Sequence, residues 1–208
     1  MGRAGEGQAI MLRVVVEAGH GSGDPGAVGP GGITEAEVVA IVARALALRT
    51  DEAVRYEVKR RPTKIMGGLN AVLNAIRRNQ PDVVISLHCD AGASNRHEGA
   101  VYYLKSDEMK VRGLASAKLA DLIRQRMIGN VAETVTVKTA PILRARPDGS
   151  TYLLTPGILH RTAKRAAVLI ELGFISDPHV AAAFASPKWQ WNAGRVIDEA
   201  LREWAKAA

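Results

Sequence analysis

The chain has 208 residues, which fits one domain with a sizeable buried core. Its apolar fraction of 47% and charged fraction of 24% are those of a globular protein, and no apolar run is long enough to span a bilayer. The formal charge of +7 favours anionic partners (nucleic acid, membrane surfaces or bacterial wall polymers) without choosing among them, while 4% aromatics leave little for stacking single-stranded bases.

Residues 1–9 carry charge but no apolar signal-type stretch, and read as a flexible tail. Ile10 to Ala18 reads as a buried strand and Gly19 to Gly32 as a loop. Thr34 to Thr50 has apolar residues at helical spacing, opened by Thr34 and Glu37 as a capping box. Val54 to Arg60 alternates like a strand, and Thr63 to Arg78 is helical but weakened by Gly67-Gly68. Asp82 to His88 and Gly99 to Leu104 are strands, and Asp107 to Met127 is a long amphipathic helix. Thr134 to Val137 and Ile142 to Ala145 read as short strands, and Arg146 to Pro156 as a turn-rich loop. Ala166 to Glu171 is a strand, Pro178 to Ala185 a short helix, and Trp189 to Ala205 a closing helix with Trp204 on its inner face. The alternation predicts a single α/β domain: a central, mostly parallel sheet with helices on both faces.

Four residues stand where α/β sheets collect chemistry. His20 follows the first strand, Glu35 opens the next helix, and His88 and Glu171 each end an apolar strand. The helix dipole favours a carboxylate at Glu35, whereas Glu37 is occupied by capping. Two imidazoles and one carboxylate leave zinc a fourth position, and a further glutamate can handle protons. Gly21-Ser22-Gly23-Asp24-Pro25-Gly26 matches G-x-G-x-x-G, but the helix starts too late for its N-terminus to face a pyrophosphate.

Cys89 is the single cysteine, so no intrachain disulfide forms. It adjoins His88, but strand neighbours point to opposite faces, so a buried structural thiol is expected. His97 is expected at the surface, and His160 and His179 in structural roles. Asp24 and Asp90 read as loop stabilisers, with support of a metal-binding histidine open to either.

The segments Ala18-Gly19-His20-Gly21, Asp24-Pro25-Gly26-Ala27 with Glu35, Ile85-Ser86-Leu87-His88-Cys89-Asp90-Ala91, Gly99 to Leu104 and Ala167 to Ser176 resemble the zinc-dependent N-acetylmuramoyl-L-alanine amidases of amidase 3 type. The family includes bacterial cell-wall hydrolases and phage endolysins. The resemblance implies one zinc ion per chain on His20, Glu35 and His88, with Glu171 as catalytic glutamate, in a catalytic domain over residues 10–208. It implies cleavage of the amide between N-acetylmuramic acid and the L-alanine of the stem peptide. Peptidoglycan is then the partner, with no nucleic acid, no membrane insertion and a monomeric chain expected.

Action at the bacterial wall without a signal peptide fits a phage enzyme waiting in the host cytoplasm, or an autolysin whose signal has been trimmed. Lys59-Arg60-Arg61-Pro62 and Ala166 depart from the family pattern. The interval from Tyr103 to Glu171 is too short for the inhibitory insert of some members, so an unblocked site is expected. The alternatives are a non-catalytic wall-binding module and another zinc peptidase acting on stem peptides.

Overall fold

The computed structural model describes residues 11–60, 68–92, 97–104, 110–140, 143–145, 151–153, 159 and 163–207. The expected tail over residues 1–9 and His160 lie outside these. The strands are β1 (Leu12–Ala18), β2 (Val54–Arg60), β3 (Val83–Asp90), β4 (Glu98–Tyr103), β5 (Thr134–Thr139), β6 (Leu143–Ala145), β7 (Thr151–Leu153) and β8 (Ala166–Phe174). The helices are α1 (Glu35–Ala47), α2 (Gly68–Asn79), α3 (Lys110–Met127), α4 (Pro178–Phe184) and α5 (Pro187–Lys206).

Six strands form one sheet in the order β2-β1-β3-β8-β4-β5. All neighbours run parallel except β4 and β8, which are antiparallel. The mostly parallel α/β domain expected from the alternation is therefore present. Strand β7 is a correction: Thr151–Leu153 pairs with β6 as a small antiparallel ribbon inside the segment read as loop.

Alternation along each strand builds two cores. Val14, Val16, Ile85, Leu87, Val168 and Ile170 pack under α1, α3 and α5, together with Val39, Ile123 and Ile197. Val15, Val84, Ala167 and Leu169 face the other way and meet Val72, Leu73 and Ile76 of α2. A strand sandwiched between helix layers must be apolar on both faces, which explains the unbroken runs in β1, β3 and β8.

Helix α1 starts where the capping box places it. The Glu37 amide donates to Thr34 Oγ1 (3.3 Å) and the Thr34 amide to Glu37 Oε2 (3.0 Å). Trp204 is buried, as expected of the inner face of α5. Its neighbour α1 crosses α5 at Gly194, where a Cβ would lie 2.7 Å from the Ala45 Cβ. No helix of the described residues is long and apolar enough to cross a membrane.

Gly194→Val is expected to destabilise the fold by about 1–3 kcal/mol through overpacking at this crossing. Urea unfolding checks it; an unchanged midpoint would mean that the two helices separate without cost.

Candidate metal centre

The centre is assembled around Glu35. As the first residue of α1 it lies over the C-terminal ends of β1 and β3, only 3% exposed. Its Oε1 accepts from the Cys89 amide (3.0 Å) and lies 2.9 Å from His88 Nδ1. Its Oε2 accepts from the Ala27 amide (3.0 Å) and lies 3.1 Å from His20 Nε2. Burial opposes ionisation, but the two imidazoles and the two backbone N–H groups hold the carboxyl well below the usual range.

His20 reaches this position by a left-handed backbone, φ 61°, which a non-glycine residue adopts at a cost. Gly26 has φ 67°, and a Cβ there would sit 2.5 Å from Glu35 Oε2 and 2.7 Å from His20 Cδ2. A Cβ at Gly19 would enter the His88 ring at 2.5 Å. The glycines of this loop leave the space in which the three side chains converge. His20 and His88 meet edge to face, with centroids 5.3 Å apart.

One donor atom each from His20, Glu35 and His88 lie within 4.8 Å of one another. Two neutral nitrogens and one carboxylate oxygen, cradled where side chains could not pass, fit a zinc ion with three protein ligands. The outer nitrogens also have acceptors: His20 Nδ1 is 3.0 Å from Asp24 Oδ2, and His88 Nε2 is 3.7 Å from Glu17 Oε2. Asp24 therefore lies beside a histidine, whereas Asp90 caps the Ala91 amide.

Glu171 stands level with His88 across the β3–β8 pair and level with Ala100 on β4. It therefore shares a sheet face with His88. The register slips between His88 and Asp90, a bulge of the kind that re-aims side chains beside sites. Glu171 lines a hollow with Asp90, Glu98, Lys138 and Phe174, and its Oε2 is buried without a hydrogen-bond partner among the described residues. Burial raises its carboxyl most; His88 opposes this, Asp90 and Glu35 add to it, and the group reaches about 7.

Cys89 is buried on the opposite face from His88, in the core under α1. His97 differs from the exposed position expected. It is half-buried between Asp177 (3.1 Å) and Glu133 (3.5 Å), beside His179. These lie away from the three converging donors. Glu17 and Ser86 had no role in the sequence reading. The signal was present: a carboxylate directly after the apolar run Val14-Val15-Val16 and before Ala18.

A family model described as N-acetylmuramoyl-L-alanine amidase matches residues 14–203. The chain is 36% identical over 104 residues to the N-acetylmuramoyl-L-alanine amidase AmiC of Neisseria meningitidis, a match spanning 50% of this chain and 24% of that protein. It is 26% identical to the uncharacterized protein YqiI of Bacillus subtilis, over 88% of this chain and 80% of that one. The solved amidase AmiC2 of Nostoc punctiforme shares the fold with a TM-score of 0.72, at 19% identity, over 94% of this chain and 97% of its own.

Without metal, His88 holds a proton tightly. Burial works against the charge, but Glu17 and Glu35 outweigh it and the ring is pushed up to about 10. Glu35, with help from Asp24, raises His20 as well. A metal must displace these protons. Affinity of these three donors for a metal ion is therefore expected to climb with pH until about 10, with protons released on binding. Calorimetry in buffers of different ionisation enthalpy reads this directly; pH-independent binding without proton release would contradict it. The metal-free fold should respond in the same terms. The His88 contribution to stability is complete below 6.5 and lost as pH rises through about 10. That of Glu35 is present above its ordinary 4.5 and lost as pH falls.

Proposed function

Because the chain belongs to the N-acetylmuramoyl-L-alanine amidase family, we propose that it hydrolyses the amide joining N-acetylmuramic acid to L-alanine in peptidoglycan. One zinc ion per chain is held by His20, Glu35 and His88, and Glu171 carries the proton. The observation that supports this reading most is the placement of two carboxylates: Glu35 sits between both imidazoles, and Glu171 stands one strand over from His88 on the same sheet face.

When bound, zinc supplies Lewis-acid activation of water and of the scissile carbonyl. Glu171 accepts the proton of the attacking water and returns it to the leaving L-alanine nitrogen. Amide nitrogen leaves poorly until protonated, so a group balanced near neutrality suits both transfers. The unsatisfied Oε2 of Glu171 faces this task without a competing partner among the described residues. His20 and His88 donate as neutral rings, with Asp24 beside the outer nitrogen of His20.

The chain acts on the bacterial wall as a monomer, either as a phage lysis enzyme or as an autolysin. Its positive charge draws it to anionic wall polymers. A wall-binding module would have no use for Glu171, and a peptidase of the stem peptide would cut a different bond.

Incubation with purified peptidoglycan, followed by mass analysis, is expected to release stem peptides with free N-terminal L-alanine. A chelator should abolish this release. Glu171→Gln should keep zinc and fold but lose about 10²–10⁴-fold in turnover. Near-full cleavage by this variant would make Glu171 structural; peptides cut elsewhere would favour the peptidase. Binding to walls without any cleavage would favour the module.

Lysis of whole walls should weaken with salt, because exposed charges are screened beyond about 8 Å at physiological ionic strength. Cleavage of a small soluble muropeptide should hardly change. Equal salt sensitivity on both substrates would remove the steering role of the charge.

A further inference from the structure

Glu17 lies in β1 between Val16 and Ala18, only 1% exposed. A carboxylate inside a sheet is costly unless something there needs its charge. Its register partner on β2 is Lys59, but the Lys59 ammonium pairs with Glu57 instead. Its register partner on β3 is Ser86, fully buried, whose hydroxyl donates to Glu17 Oε2 at 2.5 Å. The other oxygen, Oε1, is buried with no hydrogen-bond partner among the described residues. Among the described residues, the His88 ring faces this carboxylate, its Nε2 3.7 Å from Oε2.

The two histidines of the centre then share one plan. Each has Glu35 on one nitrogen and an outer carboxylate on the other. For His20 the inner nitrogen is Nε2 and the outer carboxylate is Asp24. For His88 the inner nitrogen is Nδ1 and the outer carboxylate is Glu17. Asp24 is a third exposed and screened by water, whereas Glu17 works in the protein interior, where a charge acts more strongly. Ser86 fixes which way its carboxylate points.

We infer that Glu17, held by Ser86, is a positioning residue for His88. It keeps the proton on Nε2, so that Nδ1 is the nitrogen offered to the metal. Outer carboxylates of this kind set the tautomer and ring orientation of a ligand histidine. The inference rests on the metal-centre reading above.

The test compares wild type, Glu17→Gln and Ser86→Ala. Zinc dissociation constants are measured by competition with a chromophoric chelator, and each zinc-loaded protein is labelled with ¹⁵N at histidine. In the wild type the His88 spectrum should report a protonated Nε2 and a metal-bound Nδ1. Glu17→Gln keeps the shape but removes the charge, and should weaken zinc about 10–100-fold. Its His88 signals should shift or divide between tautomers. Ser86→Ala should move zinc affinity the same way by a smaller factor, and it carries the test if Glu17→Gln does not fold.

A Glu17→Gln protein with altered thermal stability but unchanged zinc affinity and an unchanged His88 spectrum overturns the inference. So does a wild-type spectrum with the proton on Nδ1. Failure of the wild type to bind zinc at all instead removes the metal-centre reading itself, which separates the two failures.

Discussion

One buried carboxylate organises this molecule. Each oxygen of Glu35 takes one imidazole and one backbone N–H: His88 and Cys89 on Oε1, His20 and Ala27 on Oε2. These four partners come from the end of β3 and the loop between β1 and α1. Satisfying all of them at once requires β1 and β3 to be neighbours, α1 to start over their ends, and the loop to turn tightly. The capping box fixes the start of the helix, and the glycines permit the turn. A buried charge with four partners is secure, whereas the loss of any one leaves an expensive remainder.

The electrostatics divide the labour between carboxylates that differ little in chemistry. Glu35 is held ionised by its neighbours, while burial and the nearby Asp90 and Glu35 leave Glu171 near neutrality. Pairs of groups pushed apart in this way are how a single cleft separates holding from proton transfer. The chain as a whole carries a net charge of +7, whereas Glu35, Asp90 and Glu171 gather toward the ends of β3 and β8.

Much of this was legible in the sequence because it follows from local rules. The apolar runs place His20 just past β1 and His88 and Glu171 toward the C-terminal ends of β3 and β8, although these strands run on to Asp90 and Phe174 rather than ending at His88 and Glu171 as expected. The choice of Glu35 over Glu37 comes from the cap, and the inward Trp204 from helical spacing. What was hidden depended on strand order. Nothing local says that β8 lies between β3 and β4, which is what sets Glu171 level with His88. Nothing local pairs Ser86 with Glu17, 69 residues away. His97 looked exposed because its partners Asp177 and Glu133 are remote in sequence. The short strand β7 was hidden in a segment whose Pro147-Asp148-Gly149-Ser150 reads as loop.

The position of β8 also bears on how the chain becomes active as it folds. Strands β3 and β4 are joined by a short connection, yet they never pair; β8, made long after both, is inserted between them. Until it arrives, each presents an open edge, a state prone to wrong pairing. Parallel and long-range pairings of this kind form late and slowly. The strand that closes the sheet also brings Glu171 level with His88, so the proposed proton carrier belongs to the strand latest in sequence. His20, Glu35 and His88 all lie in the first half of the chain, whereas the proposed hydrolysis waits on a strand from its last quarter.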